Sequence, residues 1–268
     1  MLIRRFFPRA LALALGFAVA VPTWLAAGDQ SLMENAARER AKAPYDAGLV
    51  QLRNEAFEGA LKSFQQSVEL DPSFDMAFYM LGRTHMLLKN YVAASVALNR
   101  SRELFQADST RQFTDKQQRQ QIMRDRIRDL DQLIEDTRRA ADLPANVTRR
   151  FSMLQDVRLY EERKRQLQDT DRNDALRSTT TVPAFVSLAL GSAYFRSGKL
   201  NEAEQAYLAA LAADPRIGEA HNNLAVVYLE TGRYAEADRA VRAAEKAGMR
   251  VHPDLKAQIQ ARIKDSAR

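Results

Sequence analysis

The sequence predicts an all-α protein, a solenoid of paired helices interrupted by a long helical hairpin. Only ten glycines and eight prolines occur in 268 residues, while Ala, Leu, Arg, Glu and Gln recur throughout the chain. These residue types favour helices over short strands. Hydrophobic residues make up 46% of the chain, enough to bury a sizeable core.

Two pairs of segments repeat with a period of 34 residues, which is typical of solenoid proteins. Alignment on the two Asp-Pro pairs places two units in residues 41–108 and two more in residues 184–251. The individual units are 41–74, 75–108, 184–217 and 218–251. Residues 252–268 read as a polar helix that caps the last unit.

The third unit shows the repeated pattern most fully, with Leu190-Gly191, Tyr194, Gly198, Ala203, Tyr207, Ala210 and Pro215. A small residue at the eighth place of the first helix, and another early in the second, let two antiparallel helices approach closely. This pattern resembles the tetratricopeptide repeat, L-G-x₂-Y followed by A-x₃-F and Pro. The resemblance implies a right-handed solenoid whose first helices line a concave groove.

Residues 109–183 do not match the repeat and predict a charged helical hairpin. Met123, Ile127, Leu130 and Ile134 form a narrow apolar seam at helical spacing, surrounded by polar residues. The hairpin either projects from the solenoid or is a degenerate repeat that continues it. The same seam is also a candidate surface for a homodimer.

The first 28 residues predict an export signal. Arg4, Arg5 and Arg9 precede an uncharged apolar run, and Ala26-Ala27-Gly28 supplies small residues for cleavage after Ala27 or Gly28. The alternative is an uncleaved anchor in the inner membrane. Either outcome predicts an exported protein, periplasmic or extracellular.

Composition also argues against several classes of function. With no cysteine, the chain has neither disulfides nor a lipid-modified cysteine. The net charge of +6 includes the three signal arginines, so it is a weak argument for nucleic acid. Three scattered histidines and the lack of catalytic motifs predict no metal, no cofactor and no enzyme activity.

The resemblance implies that certain places of each first helix point into the groove. Tyrosine, methionine, arginine and asparagine at such places suit the binding of a peptide. The candidate groove residues are Tyr45, Leu49, Met76, Tyr79, Arg83, Met86, Ser192, Arg196, Asn222, Asn223 and Val226. The same places also include Lys42, Arg53, Phe185, Leu188, Glu219 and Glu230.

Three hypotheses of function follow from these observations. The first is an exported scaffold or adaptor of the bacterial cell envelope that binds a protein or peptide in its groove. The second is a signal-anchored assembly factor that self-associates through its hairpin. The third is an enzyme whose site is not visible in the sequence.

Overall fold

The computed structural model describes residues 23–109, 116–142, 147–172 and 182–266. These residues form eleven α-helices and no strand. The helices are α1 Thr23–Arg53, α2 Phe57–Leu70, α3 Asp75–Leu87, α4 Tyr91–Ser109, α5 Lys116–Asp142, α6 Val147–Arg172, α7 Ala184–Arg196, α8 Leu200–Ala213, α9 Gly218–Glu230, α10 Tyr234–Lys246 and α11 Pro253–Ser266.

Four antiparallel helix pairs build the solenoid, which confirms the predicted fold class. The pairs are α1 with α2, α3 with α4, α7 with α8, and α9 with α10. Successive pairs stack through the second helix of one and the first helix of the next, as α2 does on α3 and α8 on α9. Since α4 packs on α7 in the same way, the stack continues from the second pair to the third despite the insertion.

The turn inside each pair requires a left-handed backbone conformation at one position. Gly198 and Gly232 adopt φ angles of 78° and 74° there, in the third and fourth pairs. Glycine takes this conformation without steric cost. Glu55 and Lys89 occupy the equivalent position in the first two pairs, both with φ of 61°. The sequence pattern was weaker in those pairs, but the turn geometry is retained.

The hairpin of α5 and α6 folds back onto the inner face of the solenoid, which is the face lined by the first helices α1, α3, α7 and α9. The two helices pack on one another, α5 against α1 and α6 against α7, both of which are first helices of their pairs. The insertion therefore neither projects away nor acts as a further repeat in the stack. This arrangement differs from both alternatives that the sequence left open.

The two ends of the described chain are the helix α11 and the start of α1. At the carboxyl end, α11 packs against α10 and buries Ile259. At the amino end, α1 begins at Thr23, so most of the predicted export signal lies outside the described residues. Within the part of the chain that is described, no helix is both long and apolar enough to cross a bilayer.

Candidate binding cleft

The hairpin covers the groove of the first two helix pairs. Tyr45, Leu49, Met76 and Tyr79 were expected to face a partner, but their exposed fractions are 2%, 3%, 7% and 1%. They belong to one apolar core with Met123, Leu130, Leu133 and Ile134 of α5 and with Val157 and Tyr160 of α6. The structure corrects the expectation for these four residues because their place in the groove is filled from within the chain.

An aromatic cluster joins α6 to the inner face. The ring of Tyr160 lies 5.1 Å from that of Phe185 on α7 and 6.3 Å from that of Tyr79 on α3, centroid to centroid. The two tyrosine hydroxyls are 3.0 Å apart and share a hydrogen bond. Arg83 donates to the Tyr160 hydroxyl at 2.5 Å and to the Asp156 carboxylate at 2.5 Å. The Tyr160 hydroxyl and the Asp156 carboxylate of α6 are thus both bonded by side chains of α3.

Ion pairs fix α5 along the same face. Arg126 donates to Asp75 at 3.1 Å, and its guanidinium is 2.8 Å from the carboxylate of Asp108. Arg53 of α1 donates to Asp136 at 2.8 Å. Charge-assisted bonds of this kind require defined geometry, so they favour one docked position of the hairpin.

Where the hairpin no longer covers it, the inner face opens into a cleft of about 520 Å³. The cleft lies between α3 and α6 on one side and α9 on the other, with α7 as its floor. Its walls combine polar, charged and apolar side chains, as ligand-binding clefts commonly do. The lining residues are Arg83, Met86, Leu87, Asp156, Ala189, Ser192, Phe195, Arg196, Tyr207, Glu219, Asn223 and Val226.

Hydrogen-bonding side chains are held in fixed positions within the cleft. Tyr207 reaches in from α8 and donates to the Ser192 hydroxyl at 3.3 Å, while burial raises the pKa of Tyr207 to about 12. The phenol therefore stays neutral under physiological conditions. Asn223 lies on the first helix of the fourth pair and presents an amide to the cleft, as Arg196 presents an exposed guanidinium. These groups can serve both donors and acceptors of a peptide backbone.

Glu219 is a cleft residue whose carboxyl group has a raised pKa. It is partly buried in the first turn of α9. Burial, and after it the nearby Asp156 carboxylate, raise the pKa of its carboxyl to about 7 against the opposing effect of Arg83. Burial also raises the pKa of Asp156 from its ordinary value, again against Arg83. Two carboxyl groups thus compete for one guanidinium, and only Asp156 is bonded to it.

The structure brings together six of the eleven candidate groove residues as cleft walls: Arg83, Met86, Ser192, Arg196, Asn223 and Val226. Asn222 is partly buried beside the cleft, with its amide 3.5 Å from the Asn223 side-chain oxygen. Sequence reasoning missed Asp156 and Tyr207. Tyr207 occupies the aromatic place of the repeat, whose spacing marks it as core. Asp156 is one of many charged hairpin residues, and no local pattern distinguishes it.

The described residues contain no group of three or more histidine, cysteine, aspartate or glutamate side chains arranged to hold a metal ion. In the cleft, Arg83 is bonded to Asp156 and acts electrostatically on Glu219, and Arg196 is an exposed cation. Such groups can hold a ligand by hydrogen bonds and ion pairs.

Comparison with known proteins identifies the repeats. The family model for the tetratricopeptide repeat matches residues 45–108 and 188–249. These two regions correspond to the four helix pairs and leave out the hairpin. Among curated proteins, none matches the sequence significantly.

Solved structures of several repeat proteins are similar at low identity. The type IV pilus biogenesis factor PilW is 16% identical, with 85% of this chain and 87% of that chain covered and a TM-score of 0.39. YrrB, described as having an unusual peptide-binding site, is 17% identical over 87% and 96% of the two chains, with a TM-score of 0.28. The TPR2AB domain of yeast Sti1 is 15% identical over 85% and 96%, with a TM-score of 0.25. TM-scores below 0.5 say nothing about the partner of this chain.

Proposed function

We propose that this chain, a tetratricopeptide repeat protein, is an exported scaffold that holds an extended segment of a partner protein in its open cleft. The observation that carries the proposal is the division of the inner face. Its first half is filled by the chain's own hairpin, and its second half is an open cleft of about 520 Å³ lined by hydrogen-bonding side chains. A cleft of this size, bounded by α3, α6, α7, α8 and α9, suits a short segment better than a long one.

Export rests on the amino-terminal segment and not on the cleft. The basic residues, the apolar run and the small residues of positions 1–28 support a location in the bacterial cell envelope. Whether the signal is cleaved decides between a protein of the periplasm and one anchored in the inner membrane. Fractionation of cells that produce the full chain separates these two locations.

Self-association through the hairpin is less well supported by the structure. The seam residues Met123, Leu130 and Ile134 are at most 5% exposed, and Ile127 is partly buried against the same core. A dimer formed through them would first require the hairpin to leave the inner face. The cleft needs no such rearrangement.

The proposal is tested by crosslinking in cells followed by affinity recovery of the tagged chain. We expect the double variant Arg196→Ala with Asn223→Ala to fold normally and to lose the specific partners of the parent. Both side chains face the cleft and neither forms part of the buried core. Tyr79 and Arg83 are left unchanged because they hold the hairpin.

The matched control is Asn201→Ala with Arg239→Ala. These residues have the same chemistry but are exposed on the second helices α8 and α10. The control should recover the same partners as the parent. Equal recovery by the cleft variant and the control would show that the cleft is not the working surface.

A further inference from the structure

Glu219 feels the charges of Arg83 and Asp156, but neither bonds to it. It forms no hydrogen bond and no ion pair with any described residue, although it lines the cleft and is partly buried. A carboxylate is an acceptor only, and withdrawing it from water without a donor is unfavourable. A ligand that brings a donor to this position would recover that cost.

The cations of the cleft do not supply this donor. Arg83 is already bonded to Asp156 and to the Tyr160 hydroxyl. Arg196 lines the same cleft but makes no ion pair with Glu219 among the described residues. Asp156 lies close enough to add negative potential at Glu219. This part of the cleft therefore offers a ligand a carboxyl group that has no hydrogen-bond or ion-pair partner among the described residues.

From this we infer that the partner segment inserts a lysine or arginine side chain into the cleft and pairs its cationic group with the carboxylate of Glu219. The inference rests on the proposed function and specifies the chemistry of the partner. Met86, Phe195 and Val226 line the same cleft and can contact the aliphatic stem of such a side chain. The Asn223 amide can bond the backbone of the segment, whereas the Ser192 hydroxyl already donates to the Leu188 carbonyl and accepts from Tyr207.

Binding should depend on pH in a defined direction. Glu219 is faced by Asp156 of α6, Arg83 of α3, Arg196 of α7 and Tyr207 of α8. Because the pKa of Glu219 is about 7, its carboxyl is partly protonated near neutral pH in the unliganded chain. A cationic side chain pairs with the ionised form, so affinity should rise as the pH increases from 6 to 8.

The experiment measures binding of the purified chain to an array of synthetic peptides of unbiased sequence. We expect the bound peptides to share a lysine or arginine at one position. Replacing that residue by glutamine should weaken binding about 10- to 100-fold, the loss typical of one hydrogen bond to a charged group. Glu219→Gln should cause a similar loss, and its residual binding should no longer vary between pH 6 and 8.

The control is Glu202→Gln, which removes the same charge from an exposed position of α8 outside the cleft. It should bind like the parent. Thermal unfolding checks the fold of Glu219→Gln, which should be at least as stable as the parent at pH 8 because the amide carries no buried charge.

The outcomes separate the two proposals. If the parent binds peptides without preference for a basic residue, or if Glu219→Gln binds them as the parent does, the role of Glu219 is refuted while the cleft remains the binding site. If the parent binds no peptide at all, both proposals fail.

Discussion

Replacing Tyr160 by alanine should lower the free energy of unfolding by about 3–5 kcal/mol. Tyr160 is fully buried at the contact between the hairpin and the inner face. The change removes an aromatic ring packed against Tyr79 and Phe185, and it leaves Arg83 without one of its acceptors. Equilibrium unfolding in urea measures the loss.

Two further variants separate the contribution of the buried ring from that of a surface position and of the hydroxyl. Leu154→Ala is the control, since Leu154 lies on the same helix with an exposed fraction of 44%. It should cost less than about 1 kcal/mol, as surface substitutions do. Tyr160→Phe keeps the ring and removes only the hydroxyl, so it should cost about 1–3 kcal/mol. If Tyr160→Ala costs no more than Leu154→Ala, the hairpin is not docked on the inner face in solution.

Replacing Gly82 by alanine should lower the free energy of unfolding by about 1–3 kcal/mol through overpacking. A Cβ atom at this position would lie 2.5 Å from Cγ of Leu98 and 3.2 Å from the backbone oxygen of Ala94. The backbone atom cannot move aside without separating α3 from α4. This penalty outweighs the gain of about 1 kcal/mol that alanine brings to a helix interior.

Gly59→Ala on α2 is the matched control. A Cβ atom there would meet only the end of the Gln51 side chain, at 3.3 Å, and that side chain can move. We expect this variant to be as stable as the parent or more stable by up to about 1 kcal/mol. Thermal and urea unfolding of both variants would contradict the packing model if Gly82→Ala proved as stable as Gly59→Ala.

The close approach of paired helices could be predicted from sequence because it depends on a fixed local spacing. Gly48 meets Phe64, Gly82 meets Leu98 and Gly191 meets Tyr207, and each partner follows its glycine by sixteen residues. A period of 34 residues carries this contact from one unit to the next. The helix pairs and the small eighth residue follow from that pattern alone.

The position of the hairpin could not be predicted in the same way. It depends on contacts such as Arg83 with Asp156 and Arg53 with Asp136, which join residues 73 and 83 places apart and follow no period. The groove residues were predicted as if no other part of the chain covered the inner face. Tyr45 and Leu49 consequently lie in the core, while Asn223 and Val226, beyond the reach of the hairpin, line the cleft.

Site-specific crosslinking can show in solution that the hairpin occupies the inner face of the first two helix pairs. The chain contains no cysteine, so two can be introduced without interference. In the structure, Gln132 of α5 donates to the Asp46 carboxylate of α1 at 3.0 Å. The test variant is Asp46→Cys with Gln132→Cys, treated with a short bifunctional maleimide at low protein concentration.

We expect rapid crosslinking within a single chain, detected as an intramolecular bridge by mass spectrometry of proteolytic fragments. A control variant, Asp46→Cys with Lys264→Cys, should remain unbridged because α11 lies at the opposite end of the helix stack. If the test variant forms no bridge, or forms one only between two chains, the hairpin is not docked on the inner face in solution. The whole groove would then be a candidate binding surface.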